Sequence, residues 1–327
     1  MTMKVSVALA TCNGAAYLDE QLASLATQSR LPDELVVCDD ASDDDSLKVV
    51  ERFARRAPFA VRVYAGKERL GIIKNFERAV SLCEGDGIAL ADQDDVWMPD
   101  KLARITASLS ASASLQLVFS NAGLVDKGLR PLGYDLWQSV GFSRRERRQV
   151  RAGKAFDVLL RHTLVSGCTL AFHSGFRDLL MPFPTGVGLL HDEWVALLMA
   201  AVAEVGIIED ELLLYRQHEQ QAAGIAVPSG ALTRYFFSRA RKADANLYRS
   251  EVRRLRAVQE RLQACRQTYA CDAALAKLAQ RIAHLETRGN MPRARLRRLP
   301  HVLKELLTLR YHACSSGWIS ALKDIWF

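Results

Sequence analysis

Over the first 120 residues, short apolar runs alternate with stretches of helical period. This is the pattern of strand-helix units that build a mainly parallel sheet with helices on its faces. Lys4 to Ala10 is almost uninterruptedly apolar, as a strand buried on both faces must be. Asn13-Gly14 ends it, and Leu18, Leu22 and Leu25 then recur at the spacing of a covering helix. Leu35 to Cys38 predicts a second strand. Ser42 with Asp45 three residues on resembles a capping box, and Leu47, Val50 and Phe53 give the next helix its apolar stripe. A third strand over Val61 to Tyr64, a helix over Ile72 to Cys83 and a fourth strand over Gly87 to Ala91 follow. Leu115 to Ser120, Ser166 to Phe172 and Leu212 to Arg216 read as further strands. His191 to Ala203 reads as a helix with Trp194, Leu198 and Ala201 on one side. The basic run Arg144-Arg145-Glu146-Arg147-Arg148 breaks the period and reads as a mobile loop. From Gly230 onward, long helical patterns rich in Ala, Arg and Leu take over. The chain thus divides into an α/β domain over 1–227 and a helical appendage over 228–327.

Composition adds limits. With 327 residues, 49% hydrophobic and 25% charged, the chain has the balance of a globular protein and not of a disordered one. No stretch approaches the roughly 18 apolar residues of a spanning helix, so neither a transmembrane segment nor a signal peptide is expected. The seven cysteines (Cys12, Cys38, Cys83, Cys168, Cys265, Cys271 and Cys314) contain no Cys-x-x-Cys pair. That scatter suits a reducing cytosol, argues against a structural zinc, and leaves any metal to oxygen ligands. The net charge of +7 conceals an asymmetry. Residues 1–227 carry 24 Lys+Arg against 30 Asp+Glu, whereas 228–327 carry 20 against 7, a net +13. An acidic part suits a divalent cation and a basic part attracts phosphates of nucleic acid or anionic lipid, although a solvated helical face is the plainer account.

The acidic part concentrates its charge. Asp39-Asp40 follows the second strand and Asp92-Gln93-Asp94-Asp95 follows the fourth, at the carboxyl ends where ligands of open α/β sheets gather. Three carboxylates so close raise one another's pKa, and a bound cation relieves the repulsion. Asp oxygens suit Mg2+ or Mn2+, which complete their shells with water and substrate phosphates, so the implied substrate is a diphosphate.

Five segments occur in order: Thr11-Cys12-Asn13-Gly14, Asp39-Asp40-Ala41-Ser42, Asp92-Gln93-Asp94-Asp95-Val96-Trp97, His191-Asp192-Glu193-Trp194 and Tyr215-Arg216-Gln217-His218. With them the chain resembles the inverting family 2 glycosyltransferases of GT-A fold over about residues 4 to 225, and within these the bacterial rhamnosyltransferase-like branch. The resemblance implies that Thr11 and Asn13 line the nucleotide pocket. Asp39 or Asp40 would accept a hydrogen bond from a pyrimidine base, and Gly71 and Asn75 would lie on the nucleotide side. Asp92 would face ribose and metal, Asp94 would coordinate the Mg2+ or Mn2+, and His218 and Arg216 would contact metal or diphosphate. Asp192 would be the catalytic base, and Trp97 and Trp194 would serve acceptor binding. Capping of the following helix remains the structural alternative for Asp39-Asp40, and the helix dipole remains the one for Asp192. The sequence departs from the family at Cys12, where an aromatic residue is usual, and at Glu219-Gln220-Gln221, which replaces Gly-x-Asn.

The expected activity is metal-dependent transfer of L-rhamnose or a related deoxyhexose from dTDP-rhamnose to a growing, lipid-linked surface polysaccharide such as O-antigen. A UDP-hexose or UDP-N-acetylhexosamine donor is the alternative within the fold. A nucleotide-sensing nucleic-acid binder is the alternative of another class, disfavoured because the basic part lacks an aromatic-and-basic platform or a known DNA-reading motif. In the appendage, Leu296, Leu299, Leu303 and Leu306 recur at helical spacing among Arg297, Arg298 and Lys304, and Trp318, Leu322, Ile325 and Trp326 repeat the pattern. These faces fit a membrane interface, giving a cytoplasmic protein held peripherally on the inner face of the membrane. They fit equally a packing surface against the α/β part or a second subunit.

Overall fold

The computed structural model describes residues 3–219, 221, 245–292, 294–315 and 317–326. The chain forms two compact units, one of residues 1–185 with 190–226 and one of 186–189 with 227–327. The expected boundary between 227 and 228 lies outside the described residues.

The first unit is built on nine strands: β1 (Val5–Thr11), β2 (Glu34–Asp39), β3 (Ala60–Ala65), β4 (Gly87–Ala91), β5 (Val96–Trp97), β6 (Leu115–Asp126), β7 (Pro131–Asp135), β8 (Leu170–His173) and β9 (Glu204–Gln217). They form one sheet in the order β3-β2-β1-β4-β8-β6-β9-β5, with β7 beside β6. The β3-β2-β1-β4 half is parallel, because each strand is joined to the next through a helix. Beyond it the sheet is mixed: β8 runs antiparallel to both β4 and β6, while β6 and β9 are parallel. Helices α1 (Ala15–Ala26), α2 (Ser46–Ala54), α3 (Ile72–Leu82) and α4 (Lys101–Ser110) bury the stripes that their spacing predicts, among them Leu18, Leu22 and Leu25 on α1. The other helices of this unit are α5 (Leu136–Val140), α6 (Arg144–Arg151), α7 (Ala155–Leu159), α8 (Arg177–Leu180) and α9 (His191–Val202).

Four local expectations change. No capping box forms at Ser42, because its hydroxyl donates to Asp39 Oδ2 at 2.6 Å and α2 begins only at Ser46. The basic run is a helix, α6, closed by a reciprocal capping box between Ser143 and Glu146 and anchored by buried Val150. The segment from Ser166 opens with a 3-10 turn, Gly167–Thr169, before β8. Finally, β9 starts eight residues before Leu212, its first half masked in the sequence by exposed Glu209-Asp210-Glu211.

The second unit contains α10 (Ala245–Ala264), α11 (Asp272–Gly289), α12 (Arg295–Leu307), α13 (Arg310–Cys314) and α14 (Trp318–Trp326). Val302, Tyr311 and Ala321 form a core against which Met291, Leu306 and Ile325 pack. Arg288 makes a bidentate pair with Asp324 at 2.7 and 2.9 Å, and the Tyr311 hydroxyl donates to the same carboxylate. His284 and Glu305 meet at 2.6 Å, both fully buried. Leu306 and Ile325 therefore face inward, while Leu296, Leu303, Leu307, Trp318, Ile319, Leu322 and Trp326 remain more than half exposed. Among the described residues no helix is long and apolar enough to cross a membrane.

Candidate active site

The ends of β1 and β2 carry the first group of expected residues. Asp39 is fully buried and accepts from the Thr11 hydroxyl (2.9 Å), the Ser42 amide (2.9 Å) and the Ser42 hydroxyl. Asp39, with buried Thr11 beside it, frames the wall at the ends of these two strands. Asp40 accepts the amides of Leu70 (2.6 Å) and Gly71 (2.9 Å), fixing the turn that enters α3, where Gly71 has φ of 81°. Asn75 on α3 donates to the Cys38 and Thr11 carbonyls at 2.8 and 3.3 Å, while its Oδ1 is buried without a partner. Asn13 is exposed with φ of 51°, its amide on Ser42 Oγ and its Oδ1 accepting the Asp43 amide, each at 2.8 Å. Gln93 hydrogen-bonds both ways to the Cys12 backbone, Oε1 accepting the amide at 2.8 Å and Nε2 donating to the carbonyl at 3.1 Å. Gly14 makes room for it, since a Cβ there would lie 2.3 Å from Gln93 Oε1.

The acidic loop follows β4. Burial, then the charges of Asp95, Asp94 and Asp192, push Asp92 well above the usual carboxylate range. Burial and Asp94 push Asp95 up to about 7. Ligand atoms of Asp92, Asp95 and Cys168 all lie within 4.8 Å of one another. Beneath them sits Lys101, fully buried, its Nζ donating to the Cys168 carbonyl and lying 3.6 Å over the Trp97 ring. Desolvation brings this lysine down to about 8, while Asp95 and Asp92 oppose the shift, so it serves as a partial internal counter-charge. His218, carried by the end of β9, places Nε2 2.7 Å from Asp94 Oδ2, with its ring 4.5 Å from that of Tyr17. Crowded carboxylates, a buried Asp95 Oδ2 without a hydrogen-bond partner and an adjacent imidazole make a donor set that fits Mg2+ or Mn2+. Cys168 and Lys101 carry no motif that marks them in the sequence. The 3-10 turn brings in the first, and the second reads as an ordinary residue of the helix after Pro99.

Three of the expected residues are enclosed in the fold. Arg216 is 1% exposed; its Nε donates to the Asp94 carbonyl and its Nη1 to the Lys127 carbonyl, each at 2.7 Å. Its Nη2 pairs with Glu20, and the guanidinium lies 4.7 Å from the Tyr17 ring centroid. All three nitrogens are engaged, and through them Arg216 clamps the acidic loop. Trp97 and Trp194 are 2% and 3% exposed, the latter donating its ring N–H to the Leu180 carbonyl at 2.8 Å.

Asp192 stands in the first turn of α9, half-buried, where the helix dipole favours its charge. Its Oδ2 accepts the Gly167 amide at 3.1 Å and its Oδ1 the Glu193 amide at 2.7 Å. His191 beside it is stacked 3.8 Å from Phe76, with neither ring nitrogen partnered, and burial pushes it down to about 3. Gly167 admits that ring, because a Cβ there would lie 2.6 Å from His191 Nε2.

Residues 6–179 match the family model described as glycosyl transferase family 2, and the chain belongs to that family. Among curated proteins it is similar to a dTDP-rhamnosyl transferase of Shigella flexneri, RfbG, with 33% identity over 118 residues, 35% of this chain and 38% of that one. It is also similar to an uncharacterized glycosyltransferase of Nostoc, alr2836, with 32% identity over 111 residues, 34% of each chain. The matches thus span little more than a third of these relatives' length. Among solved structures, Staphylococcus aureus TarS 1-349 with UDP-GlcNAc superposes with a TM-score of 0.57 at 18% identity, over 99% of this chain and 80% of that one. The Pyrobaculum calidifontis mannosyltransferase PcManGT with GDP-Man and Mn2+ gives 0.50 at 19% identity, over 100% and 88%. These likenesses establish the GT-A fold.

Proposed function

We propose that the first unit transfers a sugar from a nucleotide-diphosphate donor to a hydroxyl acceptor with inversion, Asp192 acting as general base. The carrying observation is the convergence of Asp94, His218 and Asp92 on one side with Asp192 close enough to raise the pKa of Asp92. The two backbone amides on Asp192 aim its carboxylate, which would take the acceptor's proton as the acceptor oxygen attacks the anomeric carbon. Asp94 and His218, with Asp92 beside them, would hold the Mg2+ or Mn2+, which supplies positive charge for the departing diphosphate. Asn13, Asp40, Gly71 and Asn75 form the nucleotide wall, Asp40 by setting the turn at Gly71.

The donor we favour is dTDP-L-rhamnose or a related deoxyhexose, and the acceptor a growing, lipid-linked surface polysaccharide such as O-antigen. Similarity to RfbG, and to the abequosyltransferase RfbV of Salmonella typhimurium at 28% identity over 117 residues, supports this choice. The second unit would rest on the inner face of the cytoplasmic membrane through its exposed Trp and Leu side chains, which are interspersed with Arg295, Arg297 and Lys323. Seven free cysteines suit that reducing side.

A panel of dTDP-, UDP- and GDP-sugars, with and without Mn2+ or Mg2+, read by thermal shift, tests the reading. The true donor raises the melting temperature in the presence of metal, because it binds only the folded state. Silence across the whole panel would overturn it.

A further inference from the structure

Lys101, the first residue of α4, is fully buried, and the proposed transfer step leaves it without a task. An ammonium taken out of water is costly unless it is paired and hydrogen-bonded, so its contacts show what keeps it there. The Nζ lies 3.6 Å over the Trp97 ring and donates to the Cys168 carbonyl, 67 residues along the chain. The other end of the side chain has a fixed origin. Gln28, just after α1, donates to the Met98 carbonyl at 2.7 Å and accepts the Leu102 amide at 3.0 Å, which brackets the start of α4. The Trp97 amide donates to Ser24 Oγ on α1 at 3.0 Å. Lys101 is thus an arm held at its root by α1 and reaching with its tip to the 3-10 turn before β8.

In a helical turn, amides leave from the amino end and carbonyls from the carboxyl end. Here the Ser166 carbonyl closes the turn, accepting the Thr169 amide at 2.9 Å and the Thr169 hydroxyl at 2.7 Å. At its amino end the Gly167 amide donates to Asp192 Oδ2 at 3.1 Å, and at its carboxyl end the Cys168 carbonyl accepts from Lys101. The turn is gripped between a carboxylate and an ammonium in the order that the dipoles of its peptide groups favour. Gly167, Cys168 and Thr169 are all buried, so the loss of the lysine would deprive an enclosed carbonyl of a charged donor and loosen one end of the grip.

We infer that Lys101 is a positioning residue for the transfer step: through the Cys168 carbonyl it holds the turn whose Gly167 amide aims Asp192. This rests on the reading of Asp192 as the base. It gives the lysine more to do than offset the acidic loop. Charge alone acts on Asp92 and Asp95 from any nearby position, whereas a hydrogen bond to one carbonyl sets the orientation of the turn.

The test is a double-mutant cycle on the full-length chain, read as dTDP released from dTDP-L-rhamnose in Mn2+ with water as the acceptor. Lys101→Met keeps the length of the side chain and removes its charge and its donor. Alone, it should lower kcat by about tenfold or more and leave KM for dTDP-L-rhamnose within about twofold, because the base loses its aim while the nucleotide wall is untouched. In the Asp192→Asn chain the same change should lower kcat by less than about twofold, since the residue through which it acts is already disabled. The thermal shift given by dTDP-L-rhamnose with Mn2+ should be no smaller in Lys101→Met than in the wild type. If Lys101→Met does not fold, Lys101→Gln, which keeps a donor, replaces it in the cycle; its loss of kcat should be smaller and again confined to the chain that retains Asp192. An unchanged kcat in the single variant, equal losses in the two backgrounds, or a lost thermal shift would overturn the inference and leave the lysine as a support of the acidic loop. An inactive wild-type chain, or full turnover by Asp192→Asn, would be a failure of the transferase reading itself, and the positioning role would fall with it.

Discussion

Asp192 has the simplest expected behaviour. Asp192→Asn keeps the shape and one acceptor oxygen but loses the proton acceptor. Turnover should fall by on the order of a hundredfold or more while the donor's thermal shift is preserved. Near-normal turnover with a lowered melting temperature would reduce Asp192 to a helix-start residue. His191 next to it predicts a pH effect. Burial holds its folded-state pKa at about 3, below an ordinary value near 6.5, so as pH falls the unfolded chain takes up the proton first. Its stability contribution is complete above about pH 6.5 and declines down to about pH 3, by at most ~1.4 kcal/mol per pH unit. His191→Phe keeps a ring against Phe76 and removes the titration. Urea unfolding at pH 5 and pH 7 should then differ less in the variant than in the wild type; an equal difference would contradict the assignment.

Among the elements, the 3-10 turn before β8 has the least conspicuous role. Gly167→Ala places a methyl group against His191 Nε2 and must displace either the ring or the amide that holds Asp192. Steady-state kinetics should show turnover down by about tenfold or more with the donor KM little changed, because the base loses its aim and the nucleotide wall is untouched. An unchanged turnover number would mean that the turn only packs. The turn also marks where the sequence stopped being readable. Strands β1, β2 and β4 were legible because continuous apolar runs have one economical reading, and Asp94 and His218 because motifs mark them. Helix α6 was obscured because its hydropathy is polar throughout, although Ser143 and Glu146 carried the capping signal. The clamp that Arg216 makes was not legible, because its partners Glu20, Asp94 and Lys127 come together only in the folded sheet. The burial of Trp97 and Trp194 was not legible for a related reason: aromatic residues in a motif serve the core as readily as a ligand.

At the scale of the whole molecule, the second unit differs from the first in carrying large apolar side chains exposed among basic ones. Trp318, Leu322 and Trp326 are 62%, 56% and 59% exposed on one short helix, whereas its inner side is tied to α11 through Arg288 and Asp324. Replacing the three by Ser should leave this core intact. In vesicle co-sedimentation the variant should lose binding to anionic bilayers, and wild-type binding should weaken with salt and be poor on neutral vesicles, each basic residue near the surface contributing about 1 kcal/mol. Wild-type protein that ignores anionic vesicles at low salt would assign this face to a protein contact. In the first unit, the two hydrogen bonds between Gln93 and the Cys12 backbone join the acidic loop to the turn after β1 as an extra rung of sheet would, and the joining amide is uncharged. If the loop takes up a cation, as proposed, the electrostatics around that rung change without cutting it, and the two walls should keep their spacing. Nucleotide arrival should accordingly appear in stopped-flow fluorescence as one exponential whose rate rises linearly with concentration, while Gln93→Ala, by freeing the loop, should introduce a plateau set by its rearrangement.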